Sequence, residues 1–325
     1  MAELTLVQAI QDGLRTALQQ DSRVVVLGED VGKNGGVFRA TEGLWKEFGD
    51  ERVIDTPLAE AGIVGAAIGM AVNGLRPVAE IQFMGFIYPA FEQIITHAAR
   101  LRTRTQGQRP ASIVIRAPYG GGIRAPELHS DSTESLLVHT PGLKVVAPST
   151  PYDAKGLLLA AIRDPDPVIY LEPMKLYRSV RQEVPAEDYE IPLGQARQVR
   201  KGDDLTVLTW GAMVPMVEKV AATWEQRGVY WDVLDLRSIY PLDEEAIICS
   251  VRKTGRVLIV HEAPKTGGVG AELTALIQEH AFLWLEAPIT RVTGYDVPVP
   301  MFALEDDFRP NQGRIHQAAE KLIAF

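Results

Sequence analysis

The chain has 325 residues, room for about two domains at roughly 150 residues each, and 46% of them are apolar, which excludes a disordered segment or a small disulfide scaffold. Lys and Arg total 33 against 42 Asp and Glu, a formal charge of −9. That is the wrong sign for a phosphate-backbone binder, so no nucleic-acid partner is expected. The single cysteine, Cys249, lies in an apolar stretch and reads as packed rather than reactive.

The N-terminus enters an amphipathic helix pattern without a basic stretch leading into an apolar one, so no secretion signal is expected. The most apolar window, 61–72, falls short of the roughly 20 residues that span a bilayer, and a cytoplasmic protein without membrane association is the expectation. Apolar β-branched runs at 24–27, 112–115, 144–146, 168–171, 205–209, 231–236 and 256–260 alternate with helical patterns. Short apolar strands of this kind predict an α/β fold whose mainly parallel sheet is covered on both faces. From 173 to 202 the composition turns to that of turns and linker, placing a domain boundary near 190 and predicting domains 1–190 and 191–325. The second domain carries predicted helices at 213–227, 243–252, 270–280 and 310–323.

Glycines cluster at Gly35-Gly36, Gly120-Gly121-Gly122 and Gly267-Gly268, where positive φ or close backbone approach to a ligand is the expected use. Neither a dinucleotide fingerprint nor a P-loop is present. Glu60 opens a predicted helix with glycines at 65 and 69. From spacing alone it reads equally as an acid that complements the helix dipole and as a catalytic carboxylate, while small residues at this spacing more often mean ordinary packing than a subunit interface. Gln82 and Phe86 follow a strand and offer an amide and a ring to a flat ligand, although Phe86 reads by default as core. Residues 116–132 form a glycine-rich loop after a strand, carrying His129; loops at the carboxyl ends of parallel strands are where α/β proteins bind ligands. No nucleophile elbow accompanies Ser130, and the other histidines lack zinc-site spacing.

Taken in order, Leu27-Gly-Glu-Asp-Val31, Gly35-Gly-Val-Phe38, Thr41-Glu-Gly43, the 55–69 stretch, Glu80 to Phe86, Arg116 to Ser132, Pro148 to Gly156, Ala161 to Pro167, Leu176-Tyr-Arg178 and Asp235-Leu-Arg237 closely resemble the β subunit of the thiamine-diphosphate-dependent 2-oxo acid dehydrogenases. That subunit belongs to the decarboxylating component of pyruvate and branched-chain 2-oxo acid dehydrogenase complexes. The resemblance spans essentially the whole chain. It implies a pyrimidine-binding α/β domain followed by a transketolase C-terminal-like α/β domain.

By the same resemblance, Glu60 hydrogen-bonds the aminopyrimidine ring and promotes the tautomer that removes the thiazolium proton, a carboxylate acting through its cofactor. Leu58, Gln82 and Phe86 line the pyrimidine pocket, with Phe86 stacked on the ring, and His129 faces the reacting carbon, stabilising the bound acyl intermediate or helping transfer to lipoate. Main-chain oxygens at Ile113, Ala161 and Ile162, with Asp164 and Asp166, match a structural potassium site; position 166 departs from members that carry Asn there. No Gly-Asp-Gly motif for Mg²⁺ is present, so a separate α subunit is implied to hold the metal and the diphosphate in an α2β2 heterotetramer. The C-terminal end at Phe325, with acids near Asp296, is where the subunit-binding domain of a dihydrolipoyl acyltransferase is expected, and its lipoyl domain receives the acyl group. Ala125 to Asp131 resembles the bacterial pyruvate type, making pyruvate the expected 2-oxo acid. Branched-chain acids, acetoin cleavage, a self-contained transketolase-like enzyme and a non-catalytic scaffold are the alternatives.

Overall fold

A computed structural model describes residues 2–325. The first half runs β1 (Ala2–Thr5), α1 (Leu6–Gln20), β2 (Val24–Gly28), α2 (Leu44–Phe48), β3 (Val53–Asp55), α3 (Glu60–Val72), β4 (Arg76–Glu80), α4 (Leu101–Arg104), β5 (Val114–Tyr119), α5 (Glu134–Val138), β6 (Lys144–Val146), α6 (Pro151–Arg163), β7 (Val168–Pro173) and β8 (Arg181–Val184). The second continues with β9 (Arg197–Arg200), β10 (Leu205–Thr209), α7 (Met213–Glu225), β11 (Trp231–Asp235), β12 (Ser238–Tyr240), α8 (Glu244–Thr254), β13 (Val257–Pro264), α9 (Val269–Ala281), β14 (Thr290–Gly294), α10 (Glu305–Phe308) and α11 (Gln312–Ile323).

Two α/β layers result, as the apolar runs predict. Parallel strands in the order β6-β7-β5-β4-β2-β3 form the first sheet, and β12 crosses from the second half to extend it antiparallel to β6. The second sheet is β14-β13-β10-β11, again parallel, with β9 antiparallel at its edge. Strand side chains divide between two cores: Val24, Val26, Val114 and Tyr170 face the layer of α1 and α6, while Leu27, Ile115 and Leu171 face that of α3 and the segment after β4. This alternation on a sheet buried on both sides gives unbroken apolar runs. Helix starts follow local chemistry: Thr5 and Gln8 form a reciprocal capping box on α1, and Thr150, with Pro151 at the first turn, caps α6.

The 173–202 stretch is not free of strand, as its composition implies. It holds β8, paired only with β1, and β9, whose residues are partly or largely exposed. Edge strands wet on both faces carry no apolar alternation, which is why they read as linker. Cys249 also departs from its expected packing. The buried face of α8 is Ile247, Ile248, Ser250, Val251 and Thr254, which turns Cys249 outward to an exposed position.

Glu134 opens α5 and is fully buried beside Trp210 and Glu262. Its carboxyl is pushed up to about 7, chiefly by burial and further by Glu262, and its own amide and the Trp210 N–H offset this only in part. The folded chain therefore keeps a proton that the unfolded chain, ionising near the ordinary 4.5, has already lost. Stability from this group is intact below that ordinary value and declines as pH rises through about 7. Glu134→Gln should flatten the decline and gain up to about 3 kcal/mol at pH near 8, read from urea midpoints at acidic and alkaline pH.

Candidate active site

Four neighbouring strands deliver the candidate residues to one edge. Leu58 and Glu60 follow β3, Glu29 follows β2 directly, Gln82 follows β4, and the His129 loop follows β5. Because β3-β2-β4-β5 are adjacent and parallel, all four connections leave from the same carboxyl ends, the crevice where open α/β sheets bind ligands.

Glu60 is the first residue of α3 and half-buried. Leu58, two residues before it, is 71% exposed, an unusual setting for a large apolar side chain. Glu29, to which no role attaches from sequence, has its pKa raised by burial first and then by Asp30 and Glu60. The carboxylates of Glu29 and Glu60 thus lie close enough to repel, which disfavours having both ionised. Gln82 and Phe86 are half-buried.

Phe86 belongs to an aromatic group that also includes Phe83, which sequence reasoning did not single out. The His129 ring lies 4.4 Å from the Phe83 centroid and 5.0 Å from that of Phe86, and the two phenyl rings are 5.4 Å apart. His129 Nδ1 sits 2.9 Å from the Glu127 carbonyl oxygen, which can only accept, so Nδ1 is the donor in this contact. The edge is open. A cavity of about 590 Å³ exists elsewhere, between His139, Tyr240 and Glu272, and none of the expected site residues lines it.

The expected potassium ligands are adjacent but already engaged. Lys144 Nζ lies 2.6 Å from Asp164 Oδ2, and Arg102 Nε lies 2.5 Å from Asp166 Oδ1. Arg76 donates to the Ile162 carbonyl at 2.7 Å, and Val168 N–H to that of Ile113 at 2.9 Å. Each carboxylate therefore has a protein cation beside one of its oxygens, while a carbonyl oxygen that accepts one hydrogen bond keeps a second lone pair. Among the described residues no three His, Cys, Asp or Glu side chains converge as a metal cage.

Residues 2–180 match the family model for the transketolase pyrimidine binding domain, and 194–315 that for the transketolase C-terminal domain. The pyruvate dehydrogenase E1 component subunit beta of Bacillus subtilis strain 168 is 53% identical over all 325 residues, covering 100% of both chains. The chain belongs to this family. The protein of the same name from Acholeplasma laidlawii is 52% identical, covering 99% of this chain and 98% of that one. Among solved structures, a split gene transketolase described as an inactive beta4 tetramer superposes with a TM-score of 0.80 at 24% identity, covering 99% of each chain, a likeness of fold. Within the family frame, the two-domain α/β architecture and the pyrimidine-binding first half account for a site built from strand ends. No helix among the described residues is long and apolar enough to cross a membrane.

Proposed function

We propose that this chain is the β subunit of a thiamine-diphosphate-dependent pyruvate dehydrogenase component, which decarboxylates pyruvate and passes the acetyl group to lipoyllysine of a dihydrolipoyl acyltransferase. The observation that carries the reading is the gathering of Glu60, Gln82, Phe86 and His129 at the carboxyl ends of adjacent strands, in a chain 53% identical to a pyruvate dehydrogenase β subunit. When bound, thiamine diphosphate supplies a nucleophilic carbon that adds to a 2-oxo acid and lets its carboxyl leave as CO₂. Leu58 and Phe86 offer apolar surfaces for the pyrimidine, and Gln82 an amide. Glu60 would exchange a proton with a pyrimidine nitrogen, and Glu29 beside it has its own pKa raised by burial, Asp30 and Glu60. His129, its ring held by Phe83 and Phe86 and by the contact with the Glu127 carbonyl, would stabilise the acyl group carried by the cofactor or assist its transfer to lipoyllysine.

The site is half of one. The sequence has no Gly-Asp-Gly motif, so the metal and the diphosphate are assigned to an α subunit within an α2β2 assembly. The exposed Ala61, Gly62, Ala66 and Gly69 on α3, where a Cβ placed on Gly69 would meet nothing within 4 Å beyond its own helix, offer a smooth helix face to a neighbouring subunit. We place the domain division near residue 190, in a stretch without strand or helix between β8 and β9. The exposed Phe325 and the Asp296 region are assigned to the acyltransferase, and the location is taken as cytoplasmic. A structural potassium ion at the Ile113, Ala161 and Ile162 carbonyls, with Asp164 and Asp166, stays part of the proposal, Lys144 and Arg102 standing beside the two carboxylates.

Calorimetric titration of the purified chain with thiamine diphosphate and Mg²⁺ should give no binding. Adding the α subunit should restore both binding and pyruvate decarboxylation. Tight one-to-one binding by this chain alone would overturn the shared-site model.

A further inference from the structure

The loop carrying His129 is gripped from the other end of the sequence. Glu305, at the start of α10, is 1% exposed. Its Oε1 accepts the Gly122 N–H, and its Oε2 accepts the Ser130 hydroxyl at 2.8 Å. One carboxylate thus ties both ends of a span whose middle is exposed, with Arg124 and Leu128 at positive φ. Ser130 is the residue after His129. Behind Glu305, the nearly buried Arg309 pairs with Glu262 and reaches Glu305 at 4.0 Å. Outside, Arg124 pairs with Asp306 at 2.6 Å.

The three glycines of this loop fit the same picture. A Cβ on Gly121 would lie 2.6 Å from Arg309 Cδ and 2.8 Å from Glu305 Cδ. One on Gly120 would lie 2.5 Å from Glu262 Oε2, and one on Gly122, at φ +121°, 2.5 Å from Lys175 Cδ. The close backbone approach expected of these glycines is therefore to the protein's own charged side chains rather than to a ligand.

We propose that Glu305 is a positioning residue for His129: through Gly122 and Ser130 it fixes the loop so that the imidazole stands against Phe83 and Phe86, and the C-terminal domain thereby controls acetyl transfer. The proposal rests on the role given to His129 above. A mobile loop would let the ring leave the aromatic pair, and a misplacement of about 1 Å can cost on the order of a hundredfold in rate.

The test uses the assembled α/β enzyme and two assays, pyruvate decarboxylation with an artificial oxidant and acetylation of a lipoyl domain, for H129A, E305A, E305Q, S130A and the double variant E305A/H129A. E305A should lower kcat for lipoyl acetylation on the order of 10- to 100-fold with little change in KM for pyruvate. E305Q, which keeps an acceptor oxygen, should recover part of the loss, and S130A should show a smaller loss in the same direction. The double variant should lose no more than H129A alone, because Glu305 acts through the imidazole. If H129A impairs acetylation but E305A and S130A do not, or if the losses in the double variant multiply, the positioning role is wrong. If H129A leaves acetylation unchanged, the assignment of His129 fails and the proposal falls with it. Should E305A not assemble, S130A decides.

Discussion

Glu60→Gln in the assembled α/β enzyme is expected to lower pyruvate decarboxylation by at least about a hundredfold, within the usual range for removing a general acid or base. Glutamine matches glutamate in size and can still hydrogen-bond a pyrimidine nitrogen, so cofactor affinity should change far less than turnover. The substitution isolates proton exchange from packing because Glu60 is the first residue of α3 and only half-buried. Losing a favourable first-turn charge costs roughly 0.3–1 kcal/mol of helix stability, too little to disturb assembly. A second readout follows from Glu29. Its pKa is raised by burial, Asp30 and Glu60; with the Glu60 charge gone it should fall toward its ordinary value, while burial keeps it above. Steady-state rates across pH and calorimetric cofactor titration check both parts, and unchanged turnover would leave Glu60 as a helix-dipole acid.

The fold and the candidate site were legible to different depths, for physical reasons. Strands buried on both faces, such as β2 and β10, announce themselves as apolar runs because every side chain meets a core. Edge strands β8 and β9 do not, and β12 is a three-residue strand completing a sheet from the other half of the chain. Glu60, Gln82 and His129 each lie in a connection that follows a strand; their roles came from the family resemblance, and the adjacency of β3, β2, β4 and β5 accounts for their meeting at one edge. Phe83 drew no reading of its own, because nothing in its spacing marks it as meeting the His129 ring. Glu305 was invisible because it meets Ser130 across 175 positions of sequence. Arg116 was hidden by its charge: the strand predicted at 112–115 stops where arginine appears, yet β5 continues to Tyr119 with Arg116 inside.

That buried arginine carries the second large prediction. Arg116 is 1% exposed, with Nε 2.6 Å and Nη2 3.1 Å from the two Glu172 oxygens and Nη1 2.7 Å from Glu80 Oε2. Tyr177 donates a further hydrogen bond to Glu172 at 2.6 Å. Two carboxylates on β4 and β7 thus share the one cation between them on β5. Arg116→Met should destabilise the chain by about 3–5 kcal/mol, the cost of leaving buried charge uncompensated, measured by urea unfolding followed through tryptophan fluorescence. The pH dependence has a definite sign. Burial already raises the Glu80 pKa and Arg116 is the main influence holding it down, so removing the arginine raises it further. A raised folded-state pKa supplies stability that is lost as pH climbs, hence the variant should be weakest at alkaline pH and recover toward acid. Arg116→Met combined with Glu80→Gln and Glu172→Gln should regain most of the loss, because a group neutralised as a whole escapes the desolvation cost that one missing partner imposes. A triple variant as unstable as the single one would mean that the arginine's packing, rather than charge balance, holds the three strands beneath the site.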